Sequence, residues 1–221
     1  MFMMSSKTFK SLLLCLFGLY RTEALLSSTW HKDRYWFSSS KMANSNSEVD
    51  DPYDPCFSGG CISNLSVHIG YLDRSLRKSS GTGLFDWINQ RSEDATVTTA
   101  ALLDENQRFG VLSHGTQPDP IFNYGNKASL ELFGYKIEDL CRTASRLSTV
   151  PELMKDRENL IKDIETCGYG YIDDAVRVKS DGELFVIDRI LVWTLFDKTD
   201  KRIGLAAVYD KENARTYVAQ T

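Results

Sequence analysis

Phe109-Gly-Val-Leu-Ser-His114-Gly-Thr-Gln-Pro118-Asp-Pro120-Ile-Phe-Asn-Tyr124-Gly-Asn126-Lys-Ala-Ser-Leu-Glu-Leu-Phe133-Gly-Tyr135 reads as strand, turn, strand, helix. Phe109, Val111 and Leu112 are strand formers, and Gly115 closes them off. Pro118-Asp119-Pro120 imposes an extended, turning backbone, because a residue that precedes proline is pushed out of the helical region. Ile121 to Tyr124 is a second short strand. Asn126 stands where an N-cap belongs, its side chain able to accept from the first free amides of a helix. Ala128, Leu132 and Phe133 give that helix an apolar side, and Gly134 ends it.

This succession resembles the opening of a PAS fold, two strands and then a short helix that finishes in Phe133-Gly134-Tyr135. The wording is closer to the MEKHLA family, a PAS-like group. It is similar to that family in Ser113-His114-Gly115, in Asp119 to Tyr124 and in Asn126-Lys127-Ala128. The similarity continues through Ser145-Arg146-Leu147-Ser148, Tyr171-Ile172-Asp173-Asp174 and Val192-Trp193. The Met-Glu-Lys-His-Leu-Ala string that names the family is absent. The resemblance implies an α+β fold: a five-stranded antiparallel sheet with short helices on one face and an N-terminal helical extension. It says little of activity, because one fold hosts many functions.

The rest of the chain is consistent with that order. Leu65, Ile69, Leu72 and Leu76 recur at helical spacing, with Ser63 or Asn64 as the cap and Gly81 and Gly83 beyond the end. On this reading His68 falls on the polar side. Leu84 to Ile88 is an apolar cluster, and Thr98 to Asn106 a second short helix. Lys136 to Cys141 forms one helical turn. Pro151 suits a first helical position, and a helix from there ends at Gly168. Asp173 to Lys179, the turn Ser180-Asp181-Gly182 and the long apolar run Leu184 to Phe196 form a hairpin. Asp197 to Lys201 is a polar turn before a last strand, Arg202 to Tyr209. The sequence divides into residues 1–24, 25–62, 63–212 as the PAS-like domain, and a tail at 213–221.

Residues 1–24 carry Lys7 and Lys10, an apolar run from Ser11 to Tyr20, and small residues near Ala24. The run is too short to span a membrane and reads as a signal peptide. Residues 25–46 are rich in Ser, with Lys32, Arg34 and Lys41 against Asp33 alone, a transit-peptide composition. Together they resemble a two-part plastid address. Secretion into an endomembrane lumen and a start at Met42 are the alternatives.

A net charge of −4 over 221 residues gives no electrostatic case for nucleic acid. No glycine-spaced phosphate loop occurs. The five cysteines offer no metal pairing; Cys56 and Cys61 suit a small disulfide loop, and Cys141 and Cys167 read as core or surface thiols. Ser113 and His114 are adjacent and so point to opposite faces of a strand, which excludes them as a nucleophile–base pair. The same parity separates Asp173 from Asp174. Asp119 is placed to orient His114 across the turn.

By motif position in the fold the resemblance implies, a ligand cavity would draw on His114, Asn123, Arg146 and Trp193. Each has a structural competitor: a turn contact for Asn123, a carboxylate partner for Arg146, plain core for Trp193. Arg189 reads as part of an exposed sheet face. The resemblance also tests chromophores. A photoreactive flavin domain would need a Cys where Ser145 stands, and a haem domain an axial His that Pro151 to Thr166 lacks. Both cofactors are disfavoured and the ligand is unnamed. The reading is a stand-alone sensory or regulatory module for a small ligand or a protein partner, without catalysis. The rivals are a small enzyme with His114 as base and Arg146 or Arg189 on an anion, and a homodimerisation module using the first helix.

Overall fold

The computed structural model describes residues 62, 64–93, 96–150, 162–164 and 166–218. Helix α1 (Leu65–Ser80) starts where Asn64 accepts from the Val67 amide at 3.1 Å and stops at Gly81, whose φ of 82° is the left-handed conformation glycine tolerates. Two short helices follow, α2 (Leu84–Asn89) and α3 (Ala100–Asp104), the latter capped by the Thr99 side chain. Strands β1 (Phe109–His114) and β2 (Phe122–Gly125) lead into α4 (Lys127–Phe133) and α5 (Ile137–Leu140), then a 3-10 turn at Ser145–Ser148. Strands β3 (Tyr169–Val178), β4 (Leu184–Phe196) and β5 (Arg202–Asp210) form the meander, with a three-residue β6 (Ala214–Thr216) after it.

All strand pairs are antiparallel, in the order β2-β1-β5-β4-β3, and β6 pairs with β4 at Phe185 to Ile187. Two strands, helices and then a meander is the expected succession. The sheet has six strands where five were expected, because residues read as tail supply β6. The leader and the cysteine pair Cys56 and Cys61 lie outside the described residues. So does most of the helix expected from Pro151, although residues 162–164 and 166–167 are helical and Gly168 follows with φ 85°.

Strand periodicity sends side chains to two faces, and both are covered. On one face Ile69, Leu72 and Leu76 of α1, with Leu84, Ile88 and Leu103, pack on Phe109, Val111, Leu191, Trp193 and Val208. Each such burial stabilises by about 1.5–3 kcal/mol. Polar groups fix the angle of α1 on β4. The Trp193 indole donates to the Leu72 carbonyl at 3.2 Å, and Ser75 Oγ accepts from the Phe196 amide at 2.9 Å. On the other face Leu112, Ile190, Val192, Leu205 and Tyr209 meet Phe133, Leu140 and Ile164. The apolar stripe of α1 is thus spent on its own sheet.

Asn126 joins the halves. It is fully buried. Its Oδ1 accepts from the Val111 amide at 2.8 Å and the Ser129 amide at 3.3 Å, and its Nδ2 donates to the carbonyls of Leu103 and Phe109. One side chain therefore caps α4 and ties it to α3 and β1. At Gly204 a Cβ would run into the His114 carbonyl oxygen, so β5 can lie this close to the end of β1 only with glycine there.

Candidate functional site

The face of the sheet under α4 and α5 holds a cavity of about 80 Å³. Its walls are Leu112, Phe122, Phe133, Ile172, Ile190, Val192 and Leu205. The polar residues that line it are Ser113, His114, Ser145, Ser148, Arg177 and Tyr209. Drug-sized ligands occupy pockets of about 300–1,000 Å³, so this one suits a handful of waters or a ligand of few heavy atoms. His114, on the last position of β1, is half-buried, meets Phe122 edge-on, and has Nδ1 2.9 Å from the Gly115 carbonyl. A carbonyl can only accept, so Nδ1 carries a proton. Tyr209 donates to Ser129 Oγ at 2.8 Å, and Ser129 donates to the Val111 carbonyl. Burial pushes the Tyr209 phenol well up, with the Ser129 hydrogen bond and then the Arg177 charge acting the other way. Gly110 makes room for the Tyr209 ring.

Of the four residues expected to share a ligand site, only His114 lines this cavity. Trp193 is fully buried on the opposite face, under α1. Asn123 sits where the β1–β2 register shifts, and its Oδ1 accepts from Ser113 Oγ at 2.7 Å. Arg146 is exposed and pairs with Asp119 at 3.0 Å, a contact of about 0–1 kcal/mol. Asp119 is therefore committed to Arg146 instead of His114. Arg177 went unread, although strand parity with the buried Ala175 places it on the cavity face. Ser145, at the position expected of a photoreactive thiol, is buried and lines the cavity.

Ser113 does have a histidine partner, and it is His68. His68 Nε2 lies 2.9 Å from Ser113 Oγ, and the ring meets Tyr124 edge-on at 5.3 Å. The expectation of a polar-side position for His68 is wrong: it is completely buried between α1 and the sheet. Burial lowers its pKa to about 3. Ser113 spends its proton on Asn123, so His68 Nε2 donates to Ser113 Oγ. The serine is 1% exposed. This is a closed network of neutral groups, not a nucleophile with access to substrate.

The remaining charges are on the surface. Asp173 pairs with Arg189 at 2.8 Å, while Asp174, at φ 51°, pairs with Arg215, which also holds Asp188. The two adjacent carboxylates thus serve different partners, although the expected alternation breaks at Asp174, since Ile172 and Ala175 pack in the same cluster. A second, open groove of about 670 Å³ runs along Ile62, Leu65, Leu130, Tyr135 and Ile137. At its wall Tyr124 donates to Asp104 at 3.2 Å, and desolvation raises the Asp104 pKa. Cys141, buried and expected as a thiol, is disulfide-bonded. Among the described residues no group of His, Cys, Asp and Glu could hold a metal ion, and no helix is long and apolar enough to cross a membrane.

The strand order, the helices that cap the cavity face and the cavity itself define a PAS-like α+β domain. A family model described as the MEKHLA domain matches residues 67–213, and the chain belongs to that family. Solved structures give weaker likenesses. The chain is 17% identical to the PAS domain of a protein from Colwellia psychrerythraea, over 60% of this chain and 98% of that one, with a TM-score of 0.42. It is 21% identical to a light-oxygen-voltage domain studied with a flavin analogue, over 53% and 82%, with a TM-score of 0.41. A PAS domain from a two-component sensor histidine kinase is 16% identical, over 50% and 90%, with a TM-score of 0.39. No curated protein matches the chain.

Proposed function

We propose that the domain is a sensory or regulatory module that takes a small ligand into the cavity between the sheet and α4, without catalysis of its own. The observation that carries this reading is the cavity: apolar walls with His114, Arg177 and Tyr209 around one space. Such a lining selects a compact ligand with an apolar body and one anionic or hydrogen-bonding end. One feature weighs against the enzyme alternative: the serine–histidine contact is buried, with His68 fully enclosed and Ser113 1% exposed. The apolar stripe of α1 packs on its own sheet, so a homodimer through this helix would use its outer face.

The test is two-dimensional amide NMR of the full chain during titration with short aliphatic and aromatic carboxylic acids. Saturable shifts should cluster at Leu112, His114, Ile190 and Leu205. Shifts confined to the open groove at Leu130 and Ile137 would refute the cavity assignment.

A further inference from the structure

We propose that the open groove is a second binding site, for a small organic amine. Its ammonium sits on the Asp104 carboxylate and its apolar body lies on Leu65, Leu130 and Ile137. The groove measures about 670 Å³ and shares no lining residue with the cavity under α4. That volume falls within the range of about 300–1,000 Å³ that drug-sized ligands occupy. Leu65 of α1, Leu130 of α4, Tyr135 and Ile137 of α5 are each only half-buried, so apolar surface from three helices lines one space.

The charges decide what that surface receives. Glu105 pairs with Lys127 at 3.1 Å, and Glu131 with Lys211 at 2.7 Å. Asp104 and Lys136 are the lining charges left without an ion pair among the described residues. They are not equivalent. Lys136 is exposed, a hydrated ammonium on a flexible stem, and an anion placed on it would gain little. Asp104 is half-buried and held in place: Tyr124, 2% exposed, donates to its Oδ1 at 3.2 Å. Its Oδ2 has no hydrogen-bond partner among the described residues. Desolvation is the main cause that raises the Asp104 pKa; the Tyr124 bond opposes it, the Glu105 charge adds to it, and no cation contributes. A carboxylate that has lost water without gaining a cation is stabilised by an arriving ammonium more than a hydrated one is. Unpaired charge and half-exposed apolar walls together select a cation with an apolar body.

The test is amide NMR of the full chain titrated with phenethylamine, phenethyl alcohol and hydrocinnamate, three probes of one shape that differ in charge. Phenethylamine should give saturable shifts at Leu65, Asp104, Leu130 and Ile137 and bind about tenfold or more tightly than the alcohol. Asp104→Asn keeps an acceptor for the Tyr124 hydroxyl and should bring the amine down to the affinity of the alcohol. The comparison of probes on the wild type does not depend on that variant. No saturable shift with the amine, an affinity equal to that of the alcohol, or undiminished binding by Asp104→Asn would each overturn the proposal. Stronger shifts there with hydrocinnamate would assign the groove to an anion on Lys136 and overturn it too. A dimeric chain whose groove amides ignore all three probes would give the groove to a second copy instead. Shifts at Leu112, His114, Ile190 and Leu205 report on the cavity, so the two sites succeed or fail separately.

Discussion

Asn126→Ala should destabilise the domain by about 3–5 kcal/mol, read as a lower urea midpoint at unchanged slope. The side chain is completely buried and makes four hydrogen bonds to backbone groups of α3, β1 and α4. Truncation removes the α4 cap, worth about 1 kcal/mol. It also strands the Val111 amide, at about 1–3 kcal/mol for a buried group left unsatisfied, and takes a donor from the carbonyls of Leu103 and Phe109, of which Leu103 still accepts from the Asn106 amide. Local relaxation and water entry return part of that sum. Asn126→Asp separates the contributions, because it keeps the acceptor for Val111 and Ser129 but loses both donors and buries a charge. It should be no better tolerated than Ala. A loss under about 1 kcal/mol for Asn126→Ala would mean that this side chain does not join the halves of the domain.

Acid should destabilise the domain through His68. The folded pKa is lowered to about 3 by burial, against about 6.5 unfolded. Between those values the unfolded chain binds a proton that the folded chain does not, so stability falls as pH falls. The contribution is fully present above about pH 6.5. By pH 5 it has dropped by about 2 kcal/mol, and it levels off below pH 3. Urea titrations at pH 7.5, 6 and 5 should show this slope. His68→Gln should flatten it, because an amide still reaches Ser113 Oγ and does not titrate in this window. An unchanged slope in the variant would place the acid sensitivity elsewhere.

Local signals made much of the fold legible. Pro118 and Pro120, the Asn126 cap, Gly134 and the Ser180-Asp181-Gly182 turn each act on their own backbone, and all function where they were read. His68 was misplaced because the apolar stripe was drawn too narrowly. It lies three residues after Leu65 and four before Leu72, so helical geometry already set it on the buried side. Trp193 was assigned to the cavity because periodicity separates the faces of a strand without saying which face holds the cavity. That choice depends on α1, which covers one whole side of the sheet. The Arg146–Asp119 pair and the β6–β4 pairing join residues far apart in sequence through elements too short to announce themselves. Arg177 was overlooked for a related reason: a charge next to a hairpin looks solvent-facing until the opposite layer is in place.

Native mass spectrometry of the purified full chain tests the central claim most directly. The account predicts a non-covalent adduct of small mass, released on denaturation. Ala207 lines the cavity, and Ala207→Phe fills it, so the adduct should be lost from that variant while the domain stays folded. The bare polypeptide mass from the wild type, or an adduct retained undiminished by Ala207→Phe, would contradict a ligand-binding cavity at this site.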